Sequence, residues 1–175
     1  MENEEQLITA AQQDLAAFEA LYAAYAPRIF GYLYSRVQVH SEAEELTAQT
    51  FLAALEQLPR YKHRGHFAAW LFSIARNKAA DSFRAKPTEQ LDSAQQLAED
   101  TDILQSVYQR QQLSALRAQI AALPNDQAEL LQLRFVAGLS FAEIAELLGR
   151  TEGAVKKAIY RCLDRLQRQL EVENV

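Results

Sequence analysis

The chain has 175 residues, of which 49% are hydrophobic, 23% charged and 9% aromatic, and its formal net charge is −5. This length suits one or two domains and excludes a large multidomain enzyme. The hydrophobic content is typical of a folded chain rather than a disordered one. Only five glycines and four prolines occur, and strong helix formers fill many of the other positions, so we predict an all-α fold.

The sequence also indicates the cellular compartment. Runs without a charged residue, such as Leu46 to Leu55, reach only about half of the roughly 20 residues that a membrane-spanning helix needs. The N-terminus, MENEEQL, is acidic, whereas a signal peptide begins with positive charge. A single cysteine, Cys162, permits no intramolecular disulfide and no cysteine-rich metal site, and we expect it to be buried. These features predict a cytoplasmic protein with no membrane insertion.

Two helices are predicted in the first 40 residues. Apolar residues recur there at three- and four-residue spacing, the period of one helix face: Leu15, Phe18, Leu21, Tyr22 and Tyr25. Pro27 suits the first turn of a second helix. That second helix would carry four further apolar residues: Ile29, Phe30, Leu33 and Tyr34.

A third and a fourth helix are predicted between residues 41 and 84. Ser41 and Glu44 fit the S-x-x-E capping box, which predicts a helix from about Glu42 to Leu58 that Pro59 ends. The basic loop PRYKHRGH follows, and a further helix begins near Phe67. In this helix we expect Asp81 to pair with a neighbouring basic side chain. Five of its apolar residues are spaced for burial: Phe67, Trp70, Leu71, Ile74 and Phe83.

The last third of the chain predicts a helix-turn-helix. Pro124 ends a helical stretch that begins at Ile103, and Asn125 or Asp126 can cap a helix that runs through Phe135. A turn at Gly138 and a second S-x-x-E box then open a short helix that ends at Gly149. A longer helix begins after Thr151, and small Ala145 allows the two to cross closely. The capping box consists of Ser140 and Glu143. The residues of the longer helix expected to face back onto the short helix are Ala154, Val155, Ile159 and Leu163.

Charge is distributed in blocks. Residues 60–86 hold 7 basic and 1 acidic side chains, and residues 150–168 hold 6 basic and 2 acidic ones. Between them, the stretch from Ala85 to Asp102 is acidic, lacks aromatic residues and is typical of a linker. Two basic segments on an acidic background suggest two contacts with one polyanion. Two solvated helix faces would give the same pattern, and charge alone leaves both interpretations open.

Several segments in this order resemble a bacterial sigma factor of the extracytoplasmic-function (ECF) class, in the sigma-70 family. FEALYAAYAPRIFGYLYSRV, AEELTAQTFLAAL and FAAWLFSIARNKAADSFR are similar to sigma region 2. The stretch from IAALPNDQAELL to YRCLDRLQRQL is similar to region 4. The resemblance implies two helical domains, region 2 at residues 10–86 and region 4 at residues 110–171, joined by a linker at 87–109.

The resemblance implies a dissociable subunit that directs core RNA polymerase to promoters and needs no cofactor or metal. The matching positions for docking on the polymerase are Glu45, Leu46 and Gln49, whereas Phe51 suits the core. Those for the −10 element are Arg60, Tyr61, Lys62, His63, Arg64, Arg76, Asn77, Lys78 and Arg84. Those for the −35 element are Thr151, Glu152, Gly153, Lys156, Lys157, Tyr160 and Arg161. The spacing of Trp70 favours a core role over stacking on a base. Many family members are held inactive by an anti-sigma protein, so an anti-sigma factor is a candidate partner.

Two other classes of function remain as alternatives. An enzyme is disfavoured because the chain has no phosphate-binding glycine loop and no nucleophile elbow. His63 and His66 lie three apart, but they have no second pair of ligands, so we expect no metal site. A stand-alone helix-turn-helix regulator would bind duplex DNA without polymerase. That alternative leaves the basic block at residues 60–86 unexplained.

Overall fold

The computed structural model describes residues 2–63, 65–85, 120 and 122–173, without the side chains of residues 2, 3 and 170–173. Within these ranges the chain forms helices and no strand, which confirms the predicted all-α fold. The helices are α1 (Glu2–Ala11), α2 (Leu15–Val37), α3 (His40–Gln57), α4 (Phe67–Ala85), α5 (Asn125–Leu131), α6 (Phe141–Leu148) and α7 (Glu152–Glu173). A 3-10 turn covers Leu58–Arg60, and a π-helical segment covers Gln132–Val136. The predicted linker, Arg64 and the start of the second predicted domain lie outside the described residues.

We call α1 to α4, with the loop between α3 and α4, the N-terminal bundle. Its core contains fully buried side chains from α1, α2 and α4, among them Ile8, Tyr32 and Phe72. Most of helix α1 precedes residue 10, where the first domain was predicted to begin. The sequence does not indicate this helix, because its apolar pattern is short and is interrupted by acidic residues. Leu15 and Phe83, expected on buried faces, are 68% and 44% exposed.

Pro27 does not begin a helix, which corrects the sequence prediction. Helix α2 runs without interruption from Leu15 to Val37, with Pro27 inside it. Its N-cap is Asp14, whose carboxylate accepts a hydrogen bond from the amide of Ala16 at 3.0 Å. A proline inside a helix removes one backbone hydrogen bond. The buried residues Tyr25 and Ile29 lie on either side of it, and their packing holds the helix together through this point.

The expected capping box at Ser41 and Glu44 is also absent. Helix α3 begins earlier, at His40, after the extended residue Val39, and no side chain caps it. Helix α2 ends at Val37, and its C-cap Gln38 adopts a left-handed conformation with φ of 59°. Because only two residues separate α2 from α3, the chain re-enters a helix before Ser41. Ser41 is therefore an exposed residue of the first turn.

We call residues 122–173 the C-terminal unit. The prediction of a helix-turn-helix is confirmed: Ser140 and Glu143 form the reciprocal capping box of α6, and Gly149 ends that helix with φ of 63°. Neither Asn125 nor Asp126 caps α5, because Pro124 precedes the helix as its N-cap. The core behind α7 contains Val155, Ile159 and Cys162. Ala154, expected to face this core, lies exposed near the start of the helix.

Among the described residues, no helix combines the length and the apolar character needed to cross a membrane.

Candidate nucleic-acid interface

The loop between α3 and α4 carries a cluster of aromatic rings. The ring of Tyr61 lies 4.6 Å from that of Trp70 and 5.5 Å from that of Phe67, measured between centroids. Phe67 is buried at the start of α4 and anchors the cluster to the core. The side chain of His63 lies next to Tyr61, with 3.5 Å between the hydroxyl and Nδ1. Rings at the edge of the core can offer faces to a nucleobase.

Two of these rings, those of Tyr61 and Trp70, line a cleft of 460 Å³ together with basic neighbours. Arg60, Tyr61, Lys62, Trp70 and Ser73 form its wall on the N-terminal bundle. Trp70 is only partly buried, so it both packs on the core, as its spacing suggested, and presents a surface to the cleft. The opposite wall comes from α6 of the C-terminal unit, through Glu146 and Leu147.

The outer face of α4 extends this basic surface. Arg76 and Asn77 are exposed, and Lys78 is half-buried. Arg84 forms an ion pair with Asp81 at 3.0 Å, which confirms the expected pairing of Asp81 with a basic side chain of the same helix. Arg84 also donates a hydrogen bond to the carbonyl of Ala80. Arg64 lies outside the described residues.

Arg76 is engaged by the C-terminal unit. Its guanidinium donates hydrogen bonds to both carboxylate oxygens of Glu129 in α5, at 2.8 Å and 3.2 Å. The hydroxyl of Tyr32 donates to the same carboxylate at 3.2 Å, and Arg36 lies 3.9 Å from it. Glu129 is thus a buried acid surrounded by two cations and a phenol, all from the N-terminal bundle.

Burial and charge act in opposite directions on Glu129. Burial works to raise the pKa of this carboxyl, but the hydrogen bonds from Arg76, the charge of Arg36 and the contact with Tyr32 outweigh it, so the pKa lies below its ordinary value. Burial and the nearby charge of Glu129 raise the pKa of Tyr32. Glu129 therefore stays ionised and Tyr32 stays neutral at physiological pH.

Three further side chains, those of Arg28, Gln132 and His66, join the two parts. Arg28 donates hydrogen bonds to the carbonyls of Ala137 and Gly138, at 2.8 Å and 3.4 Å. The side chain of Gln132 donates to the carbonyl of Ser35 at 3.1 Å, and His66 lies 3.7 Å from Glu146. We call this packing of the C-terminal unit on the N-terminal bundle the closed arrangement. The sequence does not predict these contacts, because the partners lie far apart in the chain.

The long helix α7 presents a second basic surface, which the closed arrangement leaves exposed. The exposed residues include all those expected to face the −35 element: Thr151, Glu152, Gly153, Lys156, Lys157, Tyr160 and Arg161. The hydroxyl of Thr151 accepts a hydrogen bond from the amide of Ala154 at 3.2 Å, which starts the helix. The ammonium of Lys156 lies 5.9 Å from the ring centroid of Phe141 in α6. A basic helix presented in this way has the form of a major-groove reader.

Helix α3 presents a different kind of surface. Glu45 and Gln49 lie one turn apart and are joined by a hydrogen bond of 3.0 Å. Leu46 is 4% exposed and packs in the core, so the structure removes it from the expected docking residues. Leu52, which sequence analysis missed, is 62% exposed. It follows Gln49 by three residues, and this spacing places it on the same face.

The two histidines near the basic loop, His63 and His66, lie beside side chains that are not arranged as metal ligands among the described residues. Within the described part of the chain, no group of three or more His, Cys, Asp or Glu side chains is arranged to hold a metal ion. His66 instead lies beside Glu146, and His63 beside Tyr61.

Comparison with known proteins places these surfaces in a family. The family model for sigma-70 region 2 matches residues 21–87, and that for sigma-70 region 4 matches residues 113–166. The ECF RNA polymerase sigma factor RpoE of Cereibacter sphaeroides is 32% identical, over 90% of this chain and 88% of that protein. The chain belongs to the ECF sigma factors of the sigma-70 family. The region 2 match covers the N-terminal bundle from residue 21 onward, and the region 4 match covers the C-terminal unit up to residue 166; we use the names region 2 and region 4 for these two parts.

Other relatives agree with this assignment. The ECF sigma factor BldN of Streptomyces coelicolor is 37% identical over 88% of this chain, which spans 60% of the length of BldN. The solved sigma factor RpoE of Bartonella quintana, in complex with the anti-sigma factor NepR, has a TM-score of 0.66 and 26% identity. That similarity covers 89% of this chain and 97% of the other.

Proposed function

We propose that this protein is an alternative sigma factor that binds core RNA polymerase and directs it to promoters with −10 and −35 elements. One observation carries the proposal: a single chain matches both sigma regions, and each region presents its own basic surface. A stand-alone helix-turn-helix regulator would need only α6 and α7. It would leave without a use the match to region 2 and the aromatic and basic wall that region 2 contributes to the cleft.

In this proposal the region 2 surface receives the melted −10 strand. The backbone of a single strand is held by cations, and its bases stack on aromatic rings or enter pockets. Arg60, Lys62, Arg76, Asn77 and Lys78 supply polar and charged contacts, and Tyr61 and Trp70 supply ring faces. His63 and Arg84 lie on the margin of this surface, and Arg64 belongs to the same proposed set.

The region 4 surface would read the −35 element as a duplex. The N-terminus of α7 offers backbone amides to a phosphate. The side chains proposed to face the groove and its phosphates are Lys156, Lys157, Tyr160 and Arg161, with Thr151, Glu152 and Gly153 at the end of the helix.

The closed arrangement cannot read both elements at once. Elements centred at −10 and −35 are about 25 base pairs apart, which corresponds to about 85 Å of duplex at 3.4 Å per base pair. A compact chain of this length is on the order of 40 Å across. Region 4 also covers part of the region 2 surface that is proposed to receive the −10 strand, through Glu129, Glu146 and Leu147. We therefore propose that the two regions separate when the protein engages polymerase and promoter, with the segment around residues 87–109 as the connector.

Helix α3 is the proposed docking surface for the polymerase. Glu45 and Gln49 offer polar contacts, and Leu52 offers an apolar one beside them. A single exposed leucine is common on protein surfaces, so the docking proposal rests on Glu45 and Gln49, with Leu52 added as their neighbour on the same face. We propose further that the protein has no catalytic activity of its own, that it acts in the cytoplasm, and that an anti-sigma factor controls it, as the complex of the Bartonella quintana relative suggests.

The docking proposal is tested with two matched leucine variants and purified core polymerase. Leu52→Asp should weaken the complex at least about tenfold, since a charge would then face the interface. Leu15→Asp, at a leucine of similar exposure on α2, should bind as the parent protein does. Equal affinity of both variants for polymerase would contradict the assignment of this face.

A further inference from the structure

Gln12 connects the N-terminal helix to the loop that carries the −10 residues. It lies in the short turn between α1 and α2, and its side-chain amide donates two hydrogen bonds. One goes to the carbonyl of Leu58, at 3.0 Å, and the other to the carbonyl of Tyr61, at 2.8 Å. These partners lie 46 and 49 residues further along the chain.

The two carbonyls belong to the point where the loop leaves the helical core. The segment Leu58–Arg60 is a single 3-10 turn, closed by a hydrogen bond from the amide of Tyr61 to the carbonyl of Leu58. Carbonyls at such a helix end need partners from outside the helix. The amide group of Gln12 uses both of its hydrogens to bind the two ends of this turn together.

Gln12 is itself held in place from both sides. Its backbone amide bonds to the carbonyl of Ile8, at 3.1 Å, and Ile8 is 1% exposed in the core. Two residues later, Asp14 caps α2. The backbone of Gln12 is therefore fixed, and its side chain holds the turn at Leu58–Arg60 in a defined position.

Tyr61 links the position of Gln12 to the wall of the cleft. Gln12 fixes the backbone of Tyr61, and the ring of Tyr61 lies against Trp70 and lines the cleft with Arg60 and Lys62. The position of the cleft wall thus depends on a residue outside both the loop and α4.

We propose that Gln12 is a positioning residue for −10 strand recognition, which fixes the basic loop so that Tyr61 and its neighbours form the strand-binding wall. This inference rests on the proposed function. Gln12 makes no contact with DNA in this scheme and acts through the carbonyls of Leu58 and Tyr61.

Two substitutions and one control test the proposal. Gln12→Glu keeps the size of the side chain but replaces the donating amide with a carboxylate that faces two carbonyls. Gln12→Ala removes the side chain. Gln13→Ala changes an exposed neighbour in the same turn and serves as the matched control.

The first readout is the fluorescence of Trp70, the one tryptophan in the sequence, measured on the free full-length protein. Releasing the loop should move the emission of Trp70 to longer wavelength and increase its quenching by acrylamide in both Gln12 variants. Gln13→Ala should match the parent protein. Circular dichroism and thermal unfolding, measured on the same samples, report whether the helices remain folded.

The second readout is the binding of holoenzyme to a fluorescent single-stranded oligonucleotide that carries the −10 motif mapped from this protein's own transcription starts. Both Gln12 variants should bind it at least about fivefold more weakly, while core binding and −35 duplex binding stay unchanged. Rates of transcription from a promoter that is already melted in the −10 region should fall in the same proportion.

Unchanged oligonucleotide binding, or unchanged Trp70 emission, in folded Gln12 variants would overturn the proposal. Parallel loss of folding, core binding and both kinds of DNA binding would also overturn it, since Gln12 would then be a general structural residue. Failure of the parent holoenzyme to prefer the motif would contradict the proposed function instead, and the Trp70 measurement would still decide whether Gln12 orders the loop.

Discussion

The guanidinium of Arg76 in region 2 binds the carboxylate of Glu129 in region 4 with two hydrogen bonds, at 2.8 Å and 3.2 Å. Arg76 is one of the residues proposed to contact the −10 strand, so the carboxylate occupies a position where a phosphate could bind. Paired hydrogen bonds between arginine and a carboxylate are stronger and more directional than single neutral ones. In the proposed function, closure of the two regions and strand binding therefore compete for the same side chain.

Glu129→Gln should shift the free protein toward separated regions. The amide cannot accept two charge-assisted bonds, and Arg36 and Arg76 lose their shared anion. We expect a larger radius of gyration by small-angle X-ray scattering, and several-fold tighter binding of a −10 oligonucleotide to the free protein. Glu19→Gln, at an exposed glutamate of α2, is the control and should change neither quantity. A variant as compact as the parent protein, with no gain in strand affinity, would contradict the competition.

Closure should also depend on pH through Glu129. The pKa of this carboxyl in the closed arrangement lies below its ordinary value of 4.5, so its contribution to closure is complete above that value and is lost as the pH falls through the lowered pKa. Scattering between about pH 7 and about pH 3 should therefore show the parent protein opening at the acid end of the range. In Glu129→Gln, compactness should vary less with pH, and equal pH dependence in both proteins would assign the effect to other groups.

Replacing Lys156, Lys157 and Arg161 with alanine should weaken upstream duplex binding and leave core binding intact. Each lost phosphate contact should lower the salt dependence of duplex affinity by about one unit of the log–log slope. The measurement is the affinity of holoenzyme for a duplex carrying the −35 motif, at several salt concentrations. Arg168→Ala, which removes one exposed positive charge further along the same helix, is the single-charge control. Loss of core binding by the triple variant would refute the division of labour between the two regions.

The two S-x-x-E sequences give a matched test of capping. Ser140→Ala removes a cap that the structure contains and should lower the free energy of unfolding by about 1 kcal/mol. Ser41→Ala removes a serine that caps nothing and should change it by less than about 0.5 kcal/mol. Urea unfolding followed by circular dichroism measures both. Equal losses would mean that Ser41 stabilises α3 in a way that the structure does not contain.

The pair at Ser41 and Ser140 also explains what the sequence could and could not predict. A capping box is local, so the motif at Ser140 predicted the start of α6 correctly. The same motif at Ser41 failed because Gln38 and Val39, just before it, had already turned the chain into the next helix. Pro27 misled for a related reason, since the packing of Tyr25 and Ile29 overrides the preference of proline for a helix start.

The sequence predicts the exposed site residues better than it predicts the contacts among them. The basic character of α4 and α7 follows from the sequence, and the proposed contact residues on these helices are exposed apart from Lys78, which is half-buried. Leu46 was assigned by motif position alone, whereas its burial depends on packing within the bundle. The contacts of Glu129 with Tyr32, Arg36 and Arg76, and those of Gln12 with Leu58 and Tyr61, join residues tens of positions apart. Local periodicity contains no information about such pairs.

The most direct test of the proposed function is transcription with purified core polymerase on fragmented genomic DNA from the source organism, with and without this protein, followed by sequencing of the RNA 5′ ends. We predict new starts that share two upstream motifs near −10 and −35, and their loss in the triple variant at Lys156, Lys157 and Arg161. No new starts, under conditions where another sigma factor is active with the same polymerase, would contradict the proposal that this chain is a promoter-directing subunit.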